Sequence, residues 1–166
     1  MSMPPQQMPT GSRGVPQVRV ESTTLGLRTA DVMARDVKTC SLESTCQQAA
    51  RMMRDYDVGV LPVVDGDKVV GMVTDRDIAI RHVASGDSDP GHSTVRECMS
   101  RNVISVEPNA HLGKALQVMQ ENRVRRLVVM EGEELRGILS LDDLLVHASR
   151  AERAGQALER SMERME

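Results

Sequence analysis

Set against itself at an offset of 66 residues, this 166-residue chain repeats without a gap. Between positions 31–79 and 97–145, 11 of 49 pairs are identical: Met33, Arg35, Val37, Ala49, Met53, Val58, Leu61, Val63, Gly66, Gly71 and Asp77, each with its mate 66 later. Other pairs are conservative, such as Asp31/Glu97 and Thr39/Ser105. A duplication in register limits the fold sharply. Two copies of one supersecondary unit pack face to face to share a core, and ligand sites gather at the seam between them.

Within the unit the punctuation is regular. Residues 29–33 suit a short helix and Val37–Cys40 a short strand. Ser44 with Gln47 reads as a capping box for a helix whose apolar face carries Ala49, Ala50, Met52 and Met53. Strands Val58–Val64 and Val69–Thr74 flank the turn Asp65-Gly66-Asp67, and Asp75 opens a helix to about Ala84. The second copy repeats this order: helix Val95–Met99, strand Val103–Val106, helix Leu112–Asn122 behind cap Asn109, then strands Arg126–Met130 and Leu135–Ser140. A last helix begins near Leu141. Its apolar positions Leu144, Ala148, Ala151, Leu158, Met162 and Met165 form a heptad-like stripe that suits a partner-contacting helix or a frayed tail. Residues 1–27, rich in Pro, Gln, Ser, Gly and Thr, read as a flexible arm, and the turn formers of 85–93 as a linker.

Composition excludes several classes of function. The net charge is −3, and one Tyr with no Phe or Trp removes the stacking platform that single-strand binders use. No Lys/Arg cluster is large enough for a duplex-binding face. The longest apolar run, Val58–Val64, is broken by Gly59 and Pro62 and is too short to span a bilayer. The start of the chain lacks the basic-then-apolar order of a secretory signal, which points to the cytoplasm. Cys40, Cys46 and Cys98 have no CxxC spacing and read as small buried hydrophobes; the four histidines show no ligand spacing, so no metal site is expected. Nothing resembles a nucleophile turn or a Walker-type loop, and no catalytic residue is assigned.

Chemistry concentrates where each hairpin ends. Thr74 and Ser140 place a hydroxyl at a strand-to-helix junction, where free N–H groups offer a phosphate seat. Asp77 and Asp143 follow one helical turn later, and a carboxylate accepting from two vicinal hydroxyls is a common hold on ribose. Gly71 and Gly137 allow a backbone to approach closely. Ser/Thr-x-x-Asp is also an ordinary capping box, but its recurrence in register, with glycine three residues upstream each time, favours a ligand site.

From these residues the unit resembles a CBS domain, named after cystathionine β-synthase, and the pair resembles a Bateman module of the small stand-alone bacterial type. The resemblance covers about residues 28–148. It rests on the two glycine–hydroxyl–aspartate motifs and on Val58-Gly59-Val60-Leu61-Pro62-Val63-Val64-Asp65, with Val124–Val129 a looser match. It implies an α+β fold of two tandem βαββα-type repeats, 28–84 and 94–148, packed with pseudo-twofold symmetry, followed by a C-terminal helix over 149–166. It further implies that Gly71, Thr74, Asp77, Gly137, Ser140 and Asp143 contact the ribose and phosphate of an adenosyl ligand. Arg125 and Arg126 occupy the family's phosphate-contacting place; the first repeat has Gly59 and Val60 there, with Arg76 as a substitute cation. Thr39, Val60, Pro62, Ser105 and Val128 are the adenine-pocket candidates. The implied function is non-enzymatic: AMP, ADP, ATP, an NAD-type dinucleotide or S-adenosylmethionine binds between the repeats and shifts their packing, acting through a partner protein, with a homodimer as the expected assembly. The alternative is a structural dimerisation module with empty clefts.

Overall fold

The computed structural model describes residues 26–86, 89, 91–147 and 149–150. The arm before Gly26 and the stripe positions Ala148, Ala151, Leu158, Met162 and Met165 lie outside the described residues. The first half runs α1 (Thr29–Val32), β1 (Cys40–Ser41), α2 (Cys46–Asp55), β2 (Val60–Asp65), β3 (Lys68–Thr74) and α3 (Asp75–Asp77). α3 passes into a wider π-helical turn at Ile78–His82 and a 3₁₀ turn at Val83–Ser85. The second half repeats the order as α4 (Val95–Cys98), β4 (Ser105–Val106), α5 (Leu112–Asn122), β5 (Arg126–Glu131), β6 (Glu134–Ser140) and a helix, α6, over 141–147.

Each half builds a three-stranded sheet, β1-β2-β3 and β4-β5-β6, whose first pair is parallel and second antiparallel. The hairpins turn on Gly66 and Gly132, both at φ 61°, the left-handed region that a two-residue loop demands of its first position. Helix periodicity then supplies each core. α2 buries Cys46, Ala49 and Met53, and α5 buries their mates Leu112, Ala115 and Met119.

Three sequence expectations need correction. The α2 capping box is Thr45 with Gln48, one residue beyond Ser44 and Gln47: Gln48 N–H donates to Thr45 Oγ1 (3.1 Å) and Thr45 N–H to Gln48 Oε1 (2.8 Å). Ser44 is occupied instead, its carbonyl accepting from Val95 N–H at 2.9 Å. Likewise α5 is capped at His111, not Asn109, because Ala110 and Asn109 are drawn onto α1: Thr29 N–H donates to Ala110 O and Arg28 Nη1 to Asn109 O. The expected four-residue strands at 37–40 and 103–106 reduce to the two-residue β1 and β4.

The leading helices are exchanged between the halves. Ala34 N–H donates to Ile138 O and Ile138 N–H to Ala34 O (2.9 and 3.0 Å); their mates Ser100 and Met72 make the same reciprocal pair at 2.8 and 2.9 Å. The first core therefore takes Val95, Cys98 and Met99 from the second repeat, and the second core takes Val32 and Met33 from the first. A contact set in which i meets j and the mate of i meets the mate of j defines a pseudo-twofold axis. In the first core Cys46 and Cys98, one from each repeat, bring their free thiols to 3.4 Å, both buried. Leu144, first of the C-terminal stripe, packs into the second core instead of facing outward.

Both long helices end on a non-glycine residue in the left-handed region, Asp57 at φ 53° and Arg123 at φ 55°. Glycine has no steric penalty there. Arg123→Gly is therefore expected to raise stability by about 0.5–1 kcal/mol, read as a higher urea midpoint at unchanged slope. A lower midpoint would show that the Arg123 side chain matters more than its backbone.

Candidate nucleotide site at the seam

The two motifs sit at matching ends of the hairpins. β2 and β3 pair Val60 with Thr74, and β5 and β6 pair Arg126 with Ser140, so each strand start stands beside a motif hydroxyl. In the first motif Thr74 Oγ1 donates to Asp77 Oδ2 at 2.7 Å, Thr74 N–H donates to the same oxygen at 3.0 Å, and Asp77 N–H returns a bond to Thr74 Oγ1 at 3.0 Å. The second motif reproduces all three with Ser140 and Asp143, at 2.5, 3.1 and 3.1 Å. The ordinary capping geometry thus coexists with a fixed presentation of hydroxyl and carboxylate. All four residues are partly buried.

The second carboxylate oxygen differs between the copies. Asp77 Oδ1 lies 3.4 Å from Arg81 Nε, and Arg81 Nη1 donates to Cys98 O and Ser100 Oγ, both at 3.1 Å. The mate of Arg81 is His147, so the second motif lacks this guanidinium. The free helix N–H groups expected of a phosphate seat are engaged in the first copy: Asp75 N–H faces Gly59 O, Arg76 N–H donates to Asp75 Oδ1 at 2.7 Å, and Asp77 N–H meets Thr74.

The glycines of the motif serve packing. A methyl group on Gly71 would stand 2.7 Å from Met99 Sδ and 2.9 Å from Ser100 O; on Gly137 it would stand 2.7 Å from both Ala34 O and Met33 Sδ. The backbone whose close approach they allow is that of the exchanged segment.

Of the adenine-pocket candidates, Val60, Pro62 and Val128 are buried, yet belong to neither core, whereas the alternating Leu61, Val63, Leu127 and Val129 do. Strand alternation therefore turns Val60, Pro62 and Val128 to the opposite face of their sheets. Ser105 pairs with Val128 and is exposed; Thr39, half-buried, holds the matching place before β1. Arg125 reaches Asp142 at 3.5 Å in an exposed ion pair. Arg126 reaches across to the first repeat: its Nη2 lies 3.4 Å from where a Gly59 methyl would stand. Arg76 is exposed on α3.

Sequence reasoning passed over Gly59 as a gap for Arg126, and also Asp75 and Arg81. The signal was a break in the repeat, since their mates are Arg125, Leu141 and His147.

Comparison with known proteins gives the family and the fold. The CBS-domain profile matches residues 30–82 and 95–150. The chain belongs to the CBS-domain family. The CBS domain-containing protein YhcV of Bacillus subtilis is 41% identical over 128 residues, 77% of this chain and 90% of YhcV. Hypoxic Response Protein I, crystallised with two coordinated zinc ions, superposes with TM-score 0.66 at 36% identity, over 73% of this chain and 98% of that one; the Mycobacterium tuberculosis hypoxic response protein 1 is a curated relative at 37% identity. The CBS domain pair of protein MJ0100, in complex with 5′-methylthioadenosine and S-adenosyl-L-methionine, shares the fold at 23% identity, TM-score 0.64, over 71% of this chain and 92% of that one. Two-copy CBS proteins are regulatory and signal-transduction modules. In this CBS pair no three His, Cys, Asp or Glu side chains gather to hold a metal, and no helix is long and apolar enough to cross a membrane, among the described residues.

Proposed function

We propose that this CBS pair is a non-enzymatic sensor: an adenosyl ligand (AMP, ADP, ATP, an NAD-type dinucleotide or S-adenosylmethionine) binds at the seam and biases how the two halves pack. The observation that carries this reading is the hydroxyl–carboxylate pair held by the same three hydrogen bonds at both motifs, with Arg126 crossing from one repeat to the other. Asp77 and Asp143 take the ribose hydroxyls, Thr74 and Ser140 the adjoining phosphate or tail, and Arg125, Arg126 and Arg76 the charged end. Val60, Pro62 and Val128 with Thr39 and Ser105 face the base, while Gly71 and Gly137 hold the exchanged segment in place. A ligand can shift packing only through different affinity for two arrangements, about 1–3 kcal/mol of coupling. Its output passes to a partner protein or to the assembly state. Exposed Ile80 and its mate Val146 supply an apolar surface for a homodimer. The cytoplasm fits the three free thiols.

Calorimetry on full-length protein stripped of bound nucleotide tests this. At least one of these adenosyl compounds is expected to bind, and Asp143→Ala to weaken binding by at least about tenfold, the scale of one charge-assisted hydrogen bond. Asp77→Ala should cost less, because Arg81 already competes for that carboxylate. Heat signals absent for every compound would end the proposal. The second reading, a structural dimerisation module with empty clefts, is favoured by one observation: both motifs are self-satisfied as capping boxes. It predicts that neither aspartate variant alters any binding, only stability.

A further inference from the structure

The pseudo-twofold is broken at one point of the seam. Gly59, just before β2, has Arg125 as its mate, and Asp75, directly after the first motif hydroxyl, has Leu141. A methyl on Gly59 would stand 3.3 Å from Asp75 Oδ2 and 3.4 Å from Arg126 Nη2. Arg126 starts beside Ser140 of the second motif, yet its guanidinium ends beside the first. A carboxylate from one repeat and a guanidinium from the other thus approach one point. No ion pair closes between them among the described residues. Asp75 Oδ1 is spent on Arg76 N–H, which leaves Oδ2 directed at the gap. Asp75 also borders a cavity of about 300 Å³ in the first repeat, lined by Ala50, Met53, Val58 and Ile78 together with Arg54.

The chemistry asks for a ligand arm with two opposite charges. A polyphosphate satisfies Arg126 but brings its charge against Asp75, and like-charge contact is a means of rejection. An α-amino acid group offers its carboxylate to the guanidinium, in the planar geometry arginine favours, and its ammonium to Asp75. We infer that Asp75 and Arg126 read the tail of the ligand in the first cleft and select an adenosyl amino acid, of the S-adenosylmethionine class, over a nucleoside polyphosphate. This rests on the seam being an adenosyl site, as proposed above. The second cleft, with Leu141 in place of Asp75 and Arg125 held by Asp142, has no such pair.

Calorimetric titration of the full-length, nucleotide-stripped protein with S-adenosylmethionine, ATP and 5′-methylthioadenosine (which lacks the amino acid arm) separates the possibilities. S-adenosylmethionine is expected to bind at least about tenfold more tightly than either of the others. Asp75→Leu copies the side chain that the second repeat already carries there, so the fold should tolerate it, and it should erase the preference over ATP. Arg126→Gln should weaken S-adenosylmethionine about tenfold while leaving methylthioadenosine unchanged. ATP binding as tightly as S-adenosylmethionine, or an Asp75→Leu variant with the original ratio, would overturn the inference while leaving the seam an adenosyl site. Failure of all three compounds to bind would remove the adenosyl reading itself, and the inference with it.

Discussion

Gly137→Val is expected to destabilise the protein by about 3 kcal/mol or more, the combined cost of overpacking and of broken backbone hydrogen bonds. The cause is local and specific. Any Cβ at this position lies 2.7 Å from Ala34 O, a distance no relaxed structure tolerates, and that carbonyl is fixed because it accepts from Ile138 N–H at 3.0 Å. Relief therefore requires parting the exchanged segment from β6, which loses the reciprocal Ala34–Ile138 bonds and loosens Val32 and Met33 from the second core. Gly71→Val should act in the same direction through Ser100 O, with somewhat more tolerance because its nearest obstacle is the flexible Met99 side chain. Urea denaturation followed by circular dichroism measures both. A Gly137→Val protein within about 1 kcal/mol of the parent would show that the exchange contributes little to stability.

The second large effect concerns alkaline pH. Burial pushes the Cys40 thiol up to about 11 and the Cys98 thiol up to about 12, the latter aided by its contact with the Cys46 sulfur. Above pH 9 an unfolded chain releases protons that the native thiols keep, so stability is intact below pH 9 and declines as pH rises toward 11 and 12. At pH 11 the loss is on the order of 2 kcal/mol for each thiol. The repeat supplies the control, since the mates of Cys40 and Cys98 are Val106 and Val32. A Cys40→Val/Cys98→Val protein should lose distinctly less stability between pH 8 and pH 11 than the parent. Lysine and tyrosine titration affects both proteins alike, so equal losses would refute the assignment. The same burial should protect the native thiols from alkylating reagents, which need thiolate and access.

Much of this architecture was legible because one pattern was stated twice. The offset fixed which residues are equivalent, and equivalence carried the hairpins, the amphipathic faces of α2 and α5, and the paired motifs. Equivalence does not say which sheet a helix joins. Residues 29–33 pair as well with either hairpin on propensity alone, and the choice is made by two glycines whose missing side chains leave room for Met33 and Met99. The caps moved for a related reason: Ser44 and Ala110 lend their carbonyls to the exchanged segments, leaving Thr45 and His111 to start the helices. At the candidate site the motif residues were readable from spacing. The destination of Arg126 was not, since it depends on an empty place at Gly59 in the other half.

The exchange also makes half the chain something other than a smaller version of the whole. A fragment holding a single repeat keeps a sheet with one of its two covering helices missing, and it carries a short helix with no sheet of its own. Its route to completeness is a twin fragment that trades the same piece back, so the unbroken polypeptide is a dimer of such fragments made permanent by a tether. Joining them in one molecule is what freed the two sides to diverge, one keeping arginine where the other kept glycine.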